Sequence, residues 1–300
     1  MTQIISADNI KTGDFRTLAR AISLVENGLP GADDLMKSIR FNPVPVIGVT
    51  GPPGAGKSTL VDAMTKYLSE GGRNIAILCV DPSSSFHSGA LLGDRIRMNR
   101  WYDNPNVFIR SMASRGAVGG LNPRIFQITD LLAHAGFDYI IVETVGVGQT
   151  EIDIAKLADQ VLLVLVPESG DDIQAMKSGV MEIADIFVIN KSDRPGSAQF
   201  FQSLRISLHN RLSKSEQEIR FVQTVATEGK GIADLYHVMR ENISLRSGHK
   251  DISRLTQKTW QIISEYRMRH LNKDDLKKSL EEAMKDPTFN IYRFAETLAG

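Results

Sequence analysis

The stretch Gly51-Pro52-Pro53-Gly54-Ala55-Gly56-Lys57-Ser58-Thr59 decides the fold. Its first eight residues satisfy the pattern G-x-x-x-x-G-K-[ST]. Glycines at these places let successive backbone N–H groups converge on phosphate oxygens without interference from Cβ atoms. A helix starting at Lys57 adds the positive end of its dipole. Lys57 can reach the β- and γ-phosphates, and the Ser58 hydroxyl is a ligand of the type Mg²⁺ takes. The flanks have the required context. Val46–Val49 is a short apolar run, and Leu60, Val61, Met64 and Leu68 follow the loop at helical spacing until Gly71 and Gly72.

Moving outward, the same alternation recurs. Apolar runs lie at Ile75–Val80, Val107–Ile109, Tyr139–Val142, Val161–Val166, Ile186–Ile189 and Phe221–Val222, most of them separated by helical patterns. Near-continuous apolar strands alternating with helices predict a mostly parallel central sheet covered by helices on both faces. With the loop, this is an α/β fold of the P-loop NTPase type. Residues 14–41 carry Leu18, Ile22 and Val25, then Leu35 and Ile39, broken by Gly28, Pro30 and Gly31, which predicts a helical hairpin. From about Gly248 the pattern is helical again, without strands. The chain therefore divides into an N-terminal helical extension (1–43), a nucleotide domain (44–248) and a C-terminal helical extension (249–300). Apolar helices at both ends favour a dimer.

Composition narrows the function classes. Thirty-five basic residues balance thirty-five acidic ones, against any binding driven by bulk charge, and neither a basic stripe nor interleaved aromatics suggests nucleic acid. No apolar run is long enough to span a membrane, and the first residues lack a secretory pattern. A lone Cys79 fits a reducing, cytoplasmic compartment. The histidines at 87, 134, 209, 237, 249 and 270 have no metal-ligand spacing.

Three carboxylates are candidates near a bound Mg²⁺. Asp81 ends the second apolar run, at the edge where α/β sheets take ligands. Asp94 lies in Gly93-Asp94-Arg95-Ile96-Arg97, where it could equally pair with Arg97. Glu143 ends the run Tyr139–Val142 and is the expected second metal anchor downstream of a phosphate loop. Farther on, Ile186–Ile189 leads into Asn190-Lys191-Ser192-Asp193, an N-K-x-D motif at a strand end. A carboxylate at Asp193 can accept from both N1–H and the exocyclic amine of guanine. Adenine presents an acceptor at N1 and is repelled. The Lys191 stem can lie along the base, and the loop Thr224-Val225-Ala226-Thr227-Glu228-Gly229 after the last short strand can offer backbone N–H groups to the guanine O6. A water-orienting Gln is expected directly after the glycine of the switch. That place is Val147 here, and the nearest Gln is Gln149. Slow hydrolysis completed by a partner is the expectation, with Lys177, Arg95, Arg97 and Arg115 as candidate cations.

Taken together, these motifs resemble the methylmalonyl-CoA mutase-associated GTPases of MeaB/ArgK type. The resemblance is carried by residues 51–59, 80–98 (VDPSSSFHSGALLGDRIRM), 111–121 (SMASRGAVGGL), 143–151 (ETVGVGQTE), 174–185 (QAMKSGVMEIAD) and 190–193, and it covers about residues 14–248. It implies that Gly51, Pro52, Pro53, Gly54, Ala55, Gly56, Lys57, Ser58 and Thr59 hold the phosphates of GTP or GDP. Ser58, Asp81, Asp94 and Glu143 would surround the Mg²⁺, with Lys57, Glu143 and Asp94 as the catalytic set. Asp193 would read guanine beside Asn190 and Lys191, with Val225, Ala226 and Thr227 lining the base. Residues 144–151 resemble a switch, and the segment around Asp171–Lys177 a further one facing the partner. The implied role is that of a homodimeric GTPase chaperoning a B12-dependent acyl-CoA mutase, methylmalonyl-CoA mutase by default. It would gate adenosylcobalamin delivery and protect or reactivate the mutase. Other classes fit less well. A P-loop kinase or ATPase has no need of a guanine reader, and a nickel metallochaperone would carry His/Cys clusters. A binding module without turnover differs from a slow GTPase only in its response to a partner.

Overall fold

The computed structural model describes residues 5–81, 98–113, 121–144, 150–169, 179–212, 219–246, 250–268, 271, 273–286 and 289–299. Seven strands form one sheet: β1 (Val46–Thr50), β2 (Ile75–Asp81), β3 (Val107–Ala113), β4 (Tyr139–Thr144), β5 (Gln160–Leu165), β6 (Ile186–Ile189) and β7 (Arg220–Gln223). Their order is β3-β2-β4-β1-β5-β6-β7, and every neighbouring pair is parallel. Each predicted apolar run is a strand of this sheet. β3 is longer than its apolar run because Arg110 and Ser111 continue the ladder opposite Leu78 and Cys79.

Eleven α-helices are described. They are α1 (Phe15–Glu26), α2 (Ala32–Ser38), α3 (Lys57–Glu70), α4 (Ile125–Ala135), α5 (Thr150–Leu157), α6 (Gly179–Ile183), α7 (Ser197–Leu212), α8 (Ile232–Arg246), α9 (Lys250–Met268), α10 (Lys273–Ala283) and α11 (Ile291–Ala299). Alternate strand residues point to opposite faces. On β2, Ala76, Leu78 and Val80 join one core with α1, α4 and α5, whereas Ile75, Ile77 and Cys79 join another with α3 and α8. A third cluster covers the β5–β6 side, where Leu163, Leu165, Phe187 and Ile189 meet α6 and α7. Because both faces are buried, the strands carry apolar residues at consecutive positions rather than alternating with polar ones.

The chain forms two compact units, Met1–Ser247 and Gly248–Gly300. In the first, the apolar stripe of α1 (Leu18, Ala21, Ile22, Val25) shares a core with Ile125, Ile128, Leu131 and Leu132 of α4. Asp14 starts α1, its carboxylate accepting the Thr17 N–H at 3.0 Å. Arg110 of β3 donates to Glu26 at 2.8 Å and fixes the far end of α1 to the sheet. In the second unit, Asn290 caps α11 by accepting the N–H groups of Tyr292 and Arg293 at 3.0 and 3.1 Å.

One device recurs at the edge where the strands begin. The residue before β4, β5 and β6 is in each case an aspartate: Asp138, Asp159 and Asp185. Each donates its backbone N–H to a carbonyl on the neighbouring chain segment, at Asn74 (2.8 Å), Val46 (2.7 Å) and Val161 (2.9 Å). Each carboxylate then accepts the N–H of that same residue, at 2.8, 2.7 and 2.8 Å. The result is a closed pair of bonds that sets the register of β4 against β2, of β5 against β1 and of β6 against β5.

Candidate nucleotide site

The phosphate loop sits where β1 leaves the centre of the sheet. Gly51 has φ +142°, and a Cβ there would lie 2.2 Å from the carbonyl oxygen of Val164 on β5. Gly56 has φ +87°, and its Cβ would lie 2.5 Å from the Asn190 amide nitrogen. Both positions exclude any side chain twice over, by backbone conformation and by space. α3 opens at Lys57, directly after Gly56 in the left-handed region. Its first N–H groups and its dipole therefore point into the loop.

Lys57 is buried, and its Nζ donates to the carbonyls of Gly51 and Pro52 at 2.8 and 3.0 Å. The ammonium is thus held inside the loop. Ala55 is buried as well, whereas Pro53, Gly54 and Thr59 are exposed. Ser58 is half-buried, and its hydroxyl donates to Oε1 of Glu143 at 2.6 Å. Glu143 is itself only 5% exposed, at the carboxyl end of β4, which lies beside β1. The two oxygen ligands expected at a divalent cation are therefore in contact across adjacent elements. That donor set, a hydroxyl and a carboxylate at a helix start, suits a hard cation such as Mg²⁺. Asp81 ends β2 at the same edge. Asp94, Arg95, Arg97, Arg115, Val147, Gln149 and Asp171–Lys177 lie outside the described residues.

The N-K-x-D motif follows β6. Asn190 is 2% exposed and fully engaged. Its Nδ2 donates to the Ala55 carbonyl at 3.0 Å. Its Oδ1 accepts from the Thr224 hydroxyl at 3.1 Å and from the Ala226 N–H at 3.2 Å. One side chain thus ties the phosphate loop to the loop after β7. Lys191 has φ +54°, the one non-glycine residue with a positive φ among those described, and its Nζ donates to the Gly54 carbonyl at 2.8 Å. Asp193 is exposed, next to these anchors. Val225 and Ala226 are buried and Thr227 is exposed. Glu228, at the end of the same turn, pairs with Lys230 at 2.6 Å. The Glu228 carboxylate raises the Lys230 ammonium above the usual lysine range, with a smaller contribution from Asp193. Arg194 forms an ion pair with Glu168, just after β5, and its hydrogen bond holds that carboxyl below its ordinary range.

The structure therefore brings Lys57, Ser58 and Glu143 into one cluster, and Asn190, Lys191, Val225 and Ala226 around the other side of the loop. Thr224 joins this set without a motif of its own. The sequence places it only as the first residue of the loop expected near the guanine O6; its side-chain bond to Asn190 is found in the structure alone. The arrangement can hold a polyphosphate along the α3 N-terminus with a base beyond Lys191. Among the described residues no helix is long and apolar enough to cross a membrane, and no cluster of three or more His, Cys, Asp or Glu could hold a metal ion.

Comparison with known proteins gives a consistent result. The family described as methylmalonyl-CoA mutase-associated GTPase MeaB matches residues 18–285. A Pyrococcus horikoshii protein carrying a GTPase name is 46% identical over 78% of this chain and 76% of its own. The mouse protein named methylmalonic aciduria type A homolog, mitochondrial, is 36% identical over 75% of this chain and 56% of its own. Among solved structures, one named LAO/AO transport system kinase matches with a TM-score of 0.68 and 26% identity, covering 98% of this chain and 96% of that one.

Proposed function

The chain belongs to the family of methylmalonyl-CoA mutase-associated GTPases, and from that premise we propose that it is a guanine-nucleotide switch serving a B12-dependent acyl-CoA mutase. Methylmalonyl-CoA mutase is the client that the family name favours. In this reading the GTPase cycle gates adenosylcobalamin loading and protects or reactivates the mutase. The observation that carries it is the Asn190 bridge. A phosphate loop alone fits many nucleotide enzymes. A phosphate loop bonded to an N-K-x-D motif through a buried amide fits one that reads the base and the phosphates as a unit.

The roles then follow from chemistry. The backbone N–H groups of residues 54–59, past the two prolines that have none, and the Lys57 ammonium surround the β- and γ-phosphates. Ser58 and Glu143, with Asp81 and Asp94, hold the Mg²⁺, which when bound neutralises charge on the phosphate oxygens. Lys57, Glu143 and Asp94 form the catalytic set. The Asp193 carboxylate accepts from the two donors on the guanine edge, and Val225–Thr227 flank the base. Turnover by the chain alone is slow and rises when the mutase completes the site. Homodimerisation through the C-terminal helices belongs to the same reading.

Calorimetric titration with GDP and with ADP, each with Mg²⁺, tests it. Wild-type protein should bind GDP tightly and ADP negligibly, and Asp193→Asn should lose GDP binding. Purified mutase should then stimulate GTP hydrolysis. A second reading, a P-loop kinase or ATPase, finds support in the kinase name that the solved relative carries. Equal affinity for ADP and GDP would establish that reading and overturn the first.

A further inference from the structure

We propose that Thr50 and Thr144 are positioning residues for the Mg²⁺ site, their hydroxyl pair tying the strand end that carries Glu143 to the strand end that opens the phosphate loop. The proposal rests on the reading of residues 51–59 and Glu143 as a nucleotide and Mg²⁺ site. Thr50 is the last residue of β1 and directly precedes Gly51. Thr144 is the last residue of β4 and directly follows Glu143. The register pairs Val49 with Glu143, so Thr50 and Thr144 stand opposite each other one step farther along. The Thr144 hydroxyl donates to Oγ1 of Thr50 at 3.0 Å and lies 3.5 Å from the Val49 carbonyl oxygen, a second acceptor on the same strand. Both threonines are fully buried.

Consecutive side chains point to opposite faces of a strand. Val49 lies in the core that contains α3, on the face where Glu143 meets Ser58. The threonines point to the other face, where Val142 shares a core with Ile154 of α5. The branched Cβ of threonine restricts χ1, so a bonded hydroxyl also fixes the backbone that carries it. Fixing Thr144 in this way sets the direction of the side chain beside it, which is Glu143. Fixing Thr50 sets the point at which β1 turns into the loop at Gly51. The pair thereby holds the carboxylate at a defined distance from the loop that presents Ser58. The two hydroxyls act through the residues next to them, not by touching nucleotide or metal.

The test uses the full-length chain with Thr144→Val, Thr50→Val, the double variant and Thr144→Ser. Calorimetry gives the GDP affinity without Mg²⁺ and the Mg²⁺ concentration at half of the Mg²⁺-dependent gain in affinity. Urea unfolding gives the midpoint. Each single Val variant should keep its Mg²⁺-free GDP affinity and raise the Mg²⁺ requirement about tenfold, the loss usual for an outer support of a metal ligand. Each should also unfold at lower urea, because one buried hydroxyl is left without its partner. The double variant replaces both hydroxyls by methyl groups of the same shape. Its urea midpoint should return towards the wild-type value while its Mg²⁺ requirement stays high. Thr144→Ser keeps the hydroxyl and should need less Mg²⁺ than Thr144→Val. A Mg²⁺ requirement that returns to the wild-type value with the urea midpoint in the double variant overturns the proposal, since the pair then serves stability alone. So does a wild-type requirement in both single Val variants, or a Thr144→Ser requirement as high as that of Thr144→Val. A wild-type protein that binds no GDP, or binds it equally with and without Mg²⁺, overturns the reading of the site and this proposal with it.

Discussion

At the scale of single residues, the site depends on side chains that hold its loops together as well as on those that would face a ligand. Asn190 is the clearest case. Replacing it with Ala strips partners from the Ala55 carbonyl, the Thr224 hydroxyl and the Ala226 N–H, all of them buried around a 2%-exposed side chain. Leaving buried polar groups without partners costs about 1–3 kcal/mol each. Asn190→Ala should lower stability in urea and weaken GDP binding at least about tenfold, a factor equivalent to about 1.4 kcal/mol. Asn190→Asp keeps the acceptor and should retain more of both. Gly56→Ala should fare worse than a change at Gly54. Its Cβ would meet the Asn190 amide at 2.5 Å, whereas at Gly54 nothing lies within 4 Å. Calorimetry on the two variants checks the difference. The identities of Lys57, Ser58, Glu143 and Asn190 are legible in the sequence because each sits at a fixed offset in a short motif. The engagement of Thr224 and Thr144 is not. Their partners are 34 and 94 residues away along the chain, and no local pattern encodes such contacts.

At the scale of elements, the seven strands are readable because burial on both faces demands continuous apolar runs. The role of the aspartate before β4, β5 and β6 is not, although it stands one residue ahead of three such runs. A carboxylate that accepts an N–H beside the start of the neighbouring strand contributes on the order of 1.5–3 kcal/mol when the bond is well formed. Asp159→Ala and Asp185→Ala should therefore each lower the urea midpoint, with Asn at the same place losing less because it can still accept. A second element-scale prediction concerns pH. Tyr139, at the start of β4, is pushed from 10.0 up to about 12, by burial first and then by its hydrogen bond with Tyr236. Its neutral form is favoured in the folded chain, so the unfolded chain ionises first. The stabilisation is complete below pH 10 and is lost as pH rises towards 12. Urea unfolding followed across that window should show the decline, and Tyr139→Phe should flatten it.

At the scale of the whole molecule, zero formal charge and two compact units frame the behaviour. In the unit Gly248–Gly300, α9 presents Trp260, Ile263 and Tyr266 three residues apart, and Trp260 is 72% exposed. Exposed apolar side chains grouped on one helix face are a feature that interaction surfaces share. On the homodimer reading, Trp260→Glu with Ile263→Glu should yield a monomer by sedimentation while GDP affinity stays at the wild-type value. A dimer that survives both changes places the interface elsewhere. The sequence by itself determined the alternation of strands and helices, the phosphate loop and the base motif. Apolar periodicity and glycine placement are local, and each reports the backbone it requires. Only the tertiary structure decided the strand order that sets β4 beside β1, and with it the meeting of Ser58 and Glu143. It alone decided the Asn190 bridge and the tie between Thr50 and Thr144. Those contacts join segments distant in sequence, and hydrogen-bond geometry between them exists only once the sheet has brought its carboxyl ends together.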